Sequence, residues 1–212
     1  MGNIIGKLLV ISGLSAAGKG TIANELVNTN SSFVLSISAT SRDKRVGEKD
    51  GESYFFVSKD KFLQMIDNNE FLEYASYVGN YYGTPKKYVE GKLAEGKNVI
   101  LEIEMQGAIQ IKKIYNDAIL IFILPKDAKT QKERLQNRKR ENEEQIKERL
   151  IQGIKDASYA KYYDYILVND KLNDSITDVN NIINGTYDKN NNIKNLEILN
   201  NLVKEIREQY HV

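Results

Sequence analysis

The chain contains no cysteine, so neither disulfides nor thiolate metal sites contribute to its stability or its chemistry. Histidine is almost as scarce. The single one, His211, is the penultimate residue of 212, where chains fray, which excludes a histidine-based catalytic arrangement or zinc site. Net charge is nearly absent: 30 Lys and Arg against 29 Asp and Glu leave +1, no electrostatic footprint for nucleic acid or a membrane surface. No apolar run approaches the ~18–20 residues of a membrane span. Residues 7–17 imitate a signal peptide, with a lysine, an apolar stretch and small residues, but Ser12, Gly13 and Ser15 interrupt the apolar part. Met1 and Gly2 are not followed by Ser or Thr at position 6, so a myristoylation signal is incomplete. The cytoplasm is therefore the expected location. There is no internal repeat and no independent second domain. A chain of this length fits one compact domain with inserts, burying on the order of 70% of its unfolded surface.

What is present is organised around residues 8–21. An apolar run at 8–11 reads as a strand, and a loop of small residues follows. Gly18, Lys19, Gly20 and Thr21 then open a helical pattern through Ile22, Ala23, Leu26 and Val27. Strand, glycine-bearing loop and helix start form the arrangement of a phosphate-binding loop. Gly13 and Gly18 allow the positive φ that aims successive N–H groups at one anion. The helix N-terminus adds partial positive charge, and Lys19 is within reach of terminal phosphates. The spacing from Gly13 to Gly18 and Lys19 fits the rule, but Gly20 stands where Ser or Thr is usual, and Thr21 follows. Whether a hydroxyl touches Mg²⁺ there stays open.

Residues 33–37 read as a second short strand delivering a basic, polar surface loop, 38–45. Residues 53–57 read as a strand, and Ser58 caps a helix with Phe62, Met65 and Ile66 on one face. Residues 71–78 alternate and meet Gly79 and Asn80, a hairpin signal, with residues 81–84 as the return strand. Residues 36–84 thus predict a small β-rich insert carrying two arginines, several tyrosines and Glu73, suited to holding a substrate. Pro85 starts a helix that Gly96 closes.

The strand at 98–104 ends in Glu102 and Glu104. At i and i+2 on a strand they project to one face. Ligands of open α/β sheets collect at the carboxyl ends of strands, so these carboxylates are placed to hold Mg²⁺ and its waters beside the phosphate loop. Residues 118–124 predict a buried parallel strand stopped by Pro125. Residues 126–149 carry nine basic and six acidic side chains, net +3, and read as a solvated helical hairpin. Arg134 and Arg138 share a helix face and Arg149 faces them from the next helix, as in a lid that brings cations to a phosphate. Residues 162–168 are a last core strand, 175–183 a helix and 185–192 a polar loop. Ile193, Leu196, Leu199, Val203, Ile206 and Tyr210 then form one helical stripe, expected to dock on the protomer or at a dimer contact.

Taken together, these blocks resemble guanylate kinase, a P-loop nucleoside monophosphate kinase family. The resemblance covers roughly residues 6–184. It rests on residues 12–21, the stretch 36–42 with Arg45, Gly47 and Glu48, residues 50–57, 70–73, 79–85 and 101–107, and the arginine-bearing lid. It implies an α/β fold: a P-loop parallel sheet core flanked by helices (1–35, 86–125 and 150–184), a β-rich GMP-binding insert (36–85) and a helical lid (126–149), followed by a C-terminal helical extension (185–212). It implies transfer of the γ-phosphoryl group of ATP to GMP with Mg²⁺, in a monomer or homodimer that binds neither nucleic acid nor membrane.

For the donor, the resemblance implies contacts from Gly13, Ser15, Ala16, Ala17, Gly18, Lys19, Gly20, Thr21 and Asn169. Arg42, Arg45, Tyr54 and Tyr82 are implied to hold the GMP phosphate, and Ser38, Glu73, Thr84 and Glu104 to surround the guanine. The chemistry agrees, since a carboxylate at Glu73 accepts from guanine N1–H and the 2-amino group together. The catalytic set is Lys19, Arg42, Arg134, Arg138 and Arg149, with Glu102 on Mg²⁺ through water and Thr21 a further candidate. The chain departs from the family pattern at Leu14 and Ala16, where Pro and Gly are usual, at Glu104, where Asp is common, and at Lys139, where Gly is usual. Ala16 is compatible with the loop unless that position needs φ > 0. The alternative reading is a non-catalytic guanylate-kinase-like module that binds phosphopeptides; such modules tend to have lost the phosphate loop, which is intact here.

Overall fold

A computed structural model of the chain describes residues 6–77, 79–139 and 141–212; the readings that touch Met1, Gly2, Val78 and Arg140 lie outside them. Strand β1 (Leu8–Gly13) is buried over its whole length and forms the centre of a five-stranded parallel sheet. Its neighbours are β7 (Asn98–Glu102) and β8 (Ile119–Leu124); β2 (Phe33–Leu35) lies beyond β7, and β9 (Tyr165–Val168) beyond β8. Continuous apolar runs such as Leu9, Val10 and Ile11, or Ile121, Phe122 and Ile123, are covered on both faces, as a parallel sheet requires. Helices α1 (Lys19–Thr29), α3 (Lys86–Ala94), α4 (Met105–Ile114) and α7 (Leu172–Asn184) connect and cover it. All five strands point the same way, so β1, β7 and β9 bring Gly13, Glu102 and Asn169 to the same edge of the sheet.

The insert is a second sheet of four strands, β3 (Ala39–Thr40), β4 (Phe55–Phe56), β5 (Phe71–Tyr77) and β6 (Asn80–Pro85), in the order β4-β3-β6-β5. Helix α2 (Lys59–Asp67) buries Phe62 against it, stacked on Phe71 at 4.4 Å and Tyr81 at 5.4 Å. Ser58 caps α2 by accepting from the Lys61 N–H, as its sequence predicts. Two boundaries move. Tyr77 pairs with Asn80, so Asn80 already belongs to the return strand and Gly79 takes the positive φ of 77°. In the expected surface loop 38–45, Ala39 and Thr40 are instead fully buried strand residues, because β6 pairs with them.

Helices α5 (Ala128–Asn137) and α6 (Glu143–Ala157) form the hairpin predicted for 126–149. Helix α6 continues past position 149 to Ala157, so lid and core share one rod. Gln131, Leu135, Ile146 and Leu150 are buried beneath the pair. The last helix, α8 (Asn190–Tyr210), starts inside the stretch expected to be a loop and docks on α5, α6 and β9. Its buried residues are Leu199, Leu202 and Ile206, whereas Ile193 is 64% exposed. The predicted stripe is thus rotated: Leu202 points inward in place of Val203. The asparagines that read as loop formers close the sheet edge instead. Asn192 accepts from the Ile166 N–H at 3.0 Å and donates to the Asp164 carbonyl at 2.9 Å; Asn195 donates to the Ile166 carbonyl at 2.7 Å. An edge strand's unpaired groups are satisfied this way without a further strand. Among the described residues no helix is long and apolar enough to cross a membrane.

Candidate active site

The phosphate loop links β1 to α1. Gly13 has φ 138°, and a Cβ on it would lie 2.0 Å from the Ile123 carbonyl oxygen, so β8 leaves room for nothing larger. Gly18 has φ 89°, and its missing Cβ makes way for the amide of Asn169. Ala16 also adopts a left-handed conformation, φ 58°. The position therefore does need φ > 0, and alanine tolerates it at a cost of about 1 kcal/mol. The loop's carbonyls are tied outward. Gln131 donates to the Ser15 carbonyl at 2.9 Å, Asn169 to the Ala17 carbonyl at 2.8 Å, and Lys19 to the Gly13 and Leu14 carbonyls at 3.0 and 3.1 Å. The start of α1 has no side-chain cap and no acidic residue in its first turn, so its orphan N–H groups remain available to an anion.

A cavity of about 740 Å³ opens at this helix start, lined by Gly18, Gly20, Thr21, Glu102 and Arg138 among others. Gly20 is explained here: a Cβ at that position would stand 3.1 Å from Glu102 Oε2. Glycine gives the carboxylate room, and Thr21 supplies a hydroxyl to the same cavity. The three lid arginines are placed differently. Arg138 lines the cavity. Arg134 donates to the Asn169 carbonyl at 2.8 Å and the Ala17 carbonyl at 3.4 Å. Arg149 pairs with Glu141 at 3.1 Å and reaches the Ser15 hydroxyl at 3.4 Å. Asn169 accepts from Ser175 and, through its bond to Ala17, braces the loop from behind.

A second cavity, about 850 Å³, lies between the insert and α6, and Lys19, Glu102 and Glu104 border it as well. Glu102 is thus common to both. Burial lowers the Lys19 pKa, with Glu102 and Glu104 opposing the shift. Burial raises that of Glu102, against the pull of Lys19 and Arg138. The two carboxylates do not share a strand face as expected, since β7 stops at Glu102 and Glu104 is the N-cap of α4. Both nevertheless reach the same cleft. Ser38, Tyr54, Glu73 and Tyr82 line the second cavity. Thr84 donates to Glu73 Oε1 at 2.6 Å, and burial raises the Glu73 pKa. Gly107 allows α4 to approach, because a Cβ there would be 3.2 Å from Glu73 Oε2. Arg42 lies behind the tyrosines, its guanidinium 5.2 Å from the Tyr54 ring centre. Arg45 is exposed and does not line the cavity.

Sequence reasoning missed the far wall. Gln152 and Asp156 of α6, with Tyr159 just beyond its C-terminal end, line the second cavity, and Gln152 donates to Asp156 at 2.9 Å. Their spacing of i, i+4 and i+7 was the available signal. Gln131, fully buried against the loop, had none, being one polar residue in a charged helix.

A parallel sheet with a phosphate loop at the end of its central strand, facing a second polar cavity, defines a P-loop nucleotide-binding protein with room for two ligands. The guanylate kinase family model matches residues 5–186. The chain is 45% identical to the guanylate kinase of Clostridium tetani over 194 residues, covering 92% of this chain and 93% of that protein. It is 44% identical to that of Clostridioides difficile, with 91% and 94% covered. The crystal structure of guanylate kinase from Anaplasma phagocytophilum superposes with a TM-score of 0.65 at 30% identity, covering 87% of this chain and 88% of that one. This chain belongs to the guanylate kinase family.

Proposed function

We propose that the chain transfers the γ-phosphoryl group of ATP to GMP, giving ADP and GDP. The observation that carries this reading is the pair of cavities that share Glu102: one at a phosphate loop, the other lined by Lys19 and by the buried carboxylate of Glu73. ATP places its β- and γ-phosphates on the loop N–H groups and Lys19. GMP places its guanine between Ser38, Glu73, Thr84 and Glu104, and its phosphate toward Tyr54, Tyr82, Arg42 and Arg45. Glu73 accepts from N1–H and the 2-amino group. Adenine lacks the 2-amino group and has an acceptor at N1, which would leave a buried carboxylate unpaired; such mismatches discriminate by about 10⁴–10⁵-fold.

A phosphate monoester is largely dianionic at neutral pH, so an oxygen of GMP attacks the γ-phosphorus without a general base. The bond to the β-bridging oxygen breaks and its electron pair leaves on ADP. Catalysis of this step consists of positioning and charge neutralisation. Arg138 faces the moving group, while Arg134, Arg149 and Asn169 hold the loop in shape. Closure of the cleft keeps water, a competing acceptor, away.

The residues present fit Mg²⁺. Glu102 and the Thr21 hydroxyl border the donor cavity, and among the described residues no group of three or more acidic, His or Cys side chains forms a closed cage. That suits an ion held by substrate phosphates, waters and one or two protein oxygens. When bound, Mg²⁺ neutralises charge on the β- and γ-phosphate oxygens.

The test is ADP release with ATP and Mg²⁺, offering GMP, AMP, CMP and UMP separately. Turnover with GMP alone is expected. Turnover with another acceptor would remove the roles of Glu73 and Glu104, and none with any acceptor, in folded protein, would overturn the reaction.

A further inference from the structure

Glu48 is an acidic residue beside the expected seat of a phosphate dianion, where its charge opposes binding. The hydrogen bonds around it give it a purpose. A guanidinium carries five N–H donors in a fixed plane. On Arg42, Nη1 donates to Glu48 Oε2 and to the Asp43 carbonyl, both at 2.8 Å, and Nη2 donates to Glu48 Oε1 at 2.7 Å. Glu48 therefore occupies the end of the guanidinium. The Nε–H and the second Nη2–H remain, side by side on one edge, and form the fork that accepts two phosphate oxygens. Tyr82, which lines the acceptor cavity, stands beside this same guanidinium.

Glu48 also organises the turn that carries the second arginine. Its Oε2 accepts the Arg45 N–H at 2.8 Å, and its own N–H donates to the Arg45 carbonyl at 3.1 Å, around Gly47 at φ 87°. The Arg42 and Glu48 side chains are only 11% and 21% exposed, so this is a fixed pair rather than a fluctuating surface contact. Hydrogen bonds from Arg42 and the Arg45 N–H hold the Glu48 pKa down at about 2, so it is ionised at any working pH.

We propose that Glu48 is a positioning residue for the acceptor phosphate: it holds the end of Arg42 and the turn at Arg45, and leaves the side edge of Arg42 to the phosphate. The proposal rests on the assignment of GMP as acceptor. The experiment compares wild type, Glu48→Gln, Arg42→Lys and the double variant, measuring KM for GMP and ATP, and affinity for guanosine, which lacks the phosphate. Glu48→Gln is expected to raise KM for GMP by about 10–50-fold, as for loss of one charge-assisted contact, with KM for ATP and guanosine affinity within twofold. In the Arg42→Lys background, which has no fork to orient, Glu48→Gln should add less than threefold. A lowered or unchanged KM for GMP would overturn the proposal, showing Glu48 to be a competitor or a bystander. Effects that multiply independently, or an equal loss of guanosine affinity, would also overturn it, showing a general role in the insert's structure. Reversible partial unfolding would weaken ATP, GMP and guanosine together by the same factor, so the unchanged ATP and guanosine values separate it from a local effect. If wild type shows no turnover with GMP, the acceptor assignment fails; if wild type turns over and the variant matches it, only the role of Glu48 fails.

Discussion

On the assignment of donor and acceptor proposed above, the two halves of the cleft bind phosphate by different means. The donor half uses main chain: N–H groups of a loop whose carbonyls are tied back by Gln131, Asn169 and Lys19. It is mounted on a strand buried over its whole length. The acceptor half uses side chains from a small twisted sheet, with a guanidinium clamped by a carboxylate and a carboxylate buttressed by a threonine. A backbone cradle recognises phosphate and little else. Side chains at the ends of short strands can distinguish one base from another, because a mismatched base leaves a buried group without its partner. A kinase that takes a common donor and a selected acceptor needs this division.

The largest effect separates the halves outright. Lys19→Met should lower kcat by about 10²–10³-fold, the size expected when a donor to developing charge is lost, while GMP binding by calorimetry stays near wild type. Equal loss of GMP binding would mean that the halves are not independent. Damage to the scaffold should spare the division altogether. Leu202→Ala, in the docked face of α8, is expected to cost ~3 kcal/mol, lowering Tm by roughly 6–12 °C with both KM values unchanged. Val203→Ala should cost under about 1 kcal/mol by the same rule, since it is only half-buried.

Glu73→Gln should lower kcat/KM for GMP about 10–100-fold and leave KM for ATP alone. Its effect on stability has the opposite sign. Burial raises the Glu73 pKa, so the ionised form is disfavoured in the fold, and stability rises as pH falls through that raised pKa. Removing the charge should therefore raise Tm slightly at pH 8. In wild type, GMP use should fall as Glu73 is protonated, at a pH above the ordinary 4.5; the Gln variant should lack that limb of the pH profile. The smallest effect is expected at Ala16. Glycine would relieve about 1 kcal/mol of left-handed strain but forfeit a buried methyl and gain unfolded-state freedom of similar size. Ala16→Gly should shift Tm by no more than about 3 °C, with kcat unchanged, whereas Ala16→Val adds β-branching to the same conformation and should destabilise clearly.

The donor half was legible in the sequence and the acceptor half only in part, for a physical reason. The phosphate loop is local: strand, glycines, lysine and helix follow one another within residues 8–21, and each residue's role derives from its neighbours. The acceptor site is assembled from β5, β6, the start of α4 and the wall of α6, which no short-range spacing connects. Glu73 was found through its resemblance to a family, whereas Asp156 and Tyr159 were not found, although their helical spacing marks a common face. The three lid arginines look equivalent in the sequence and differ in space: Arg138 borders the donor cavity while Arg134 is bonded to loop carbonyls. Similarly, the asparagines of α8 have the composition of a loop but serve as partners to an exposed strand edge.

Composition and short-range periodicity carry the phosphate loop, the parallel core strands, the hairpin of the insert and the absence of thiol or histidine chemistry. Long-range packing is what makes Ala16 left-handed, gives Gly20 the task of making room for Glu102, sets Glu48 against Arg42 and turns Leu202 of α8 inward. Each of these depends on which atoms from distant parts of the chain come within a few ångströms of one another, and that is set by packing.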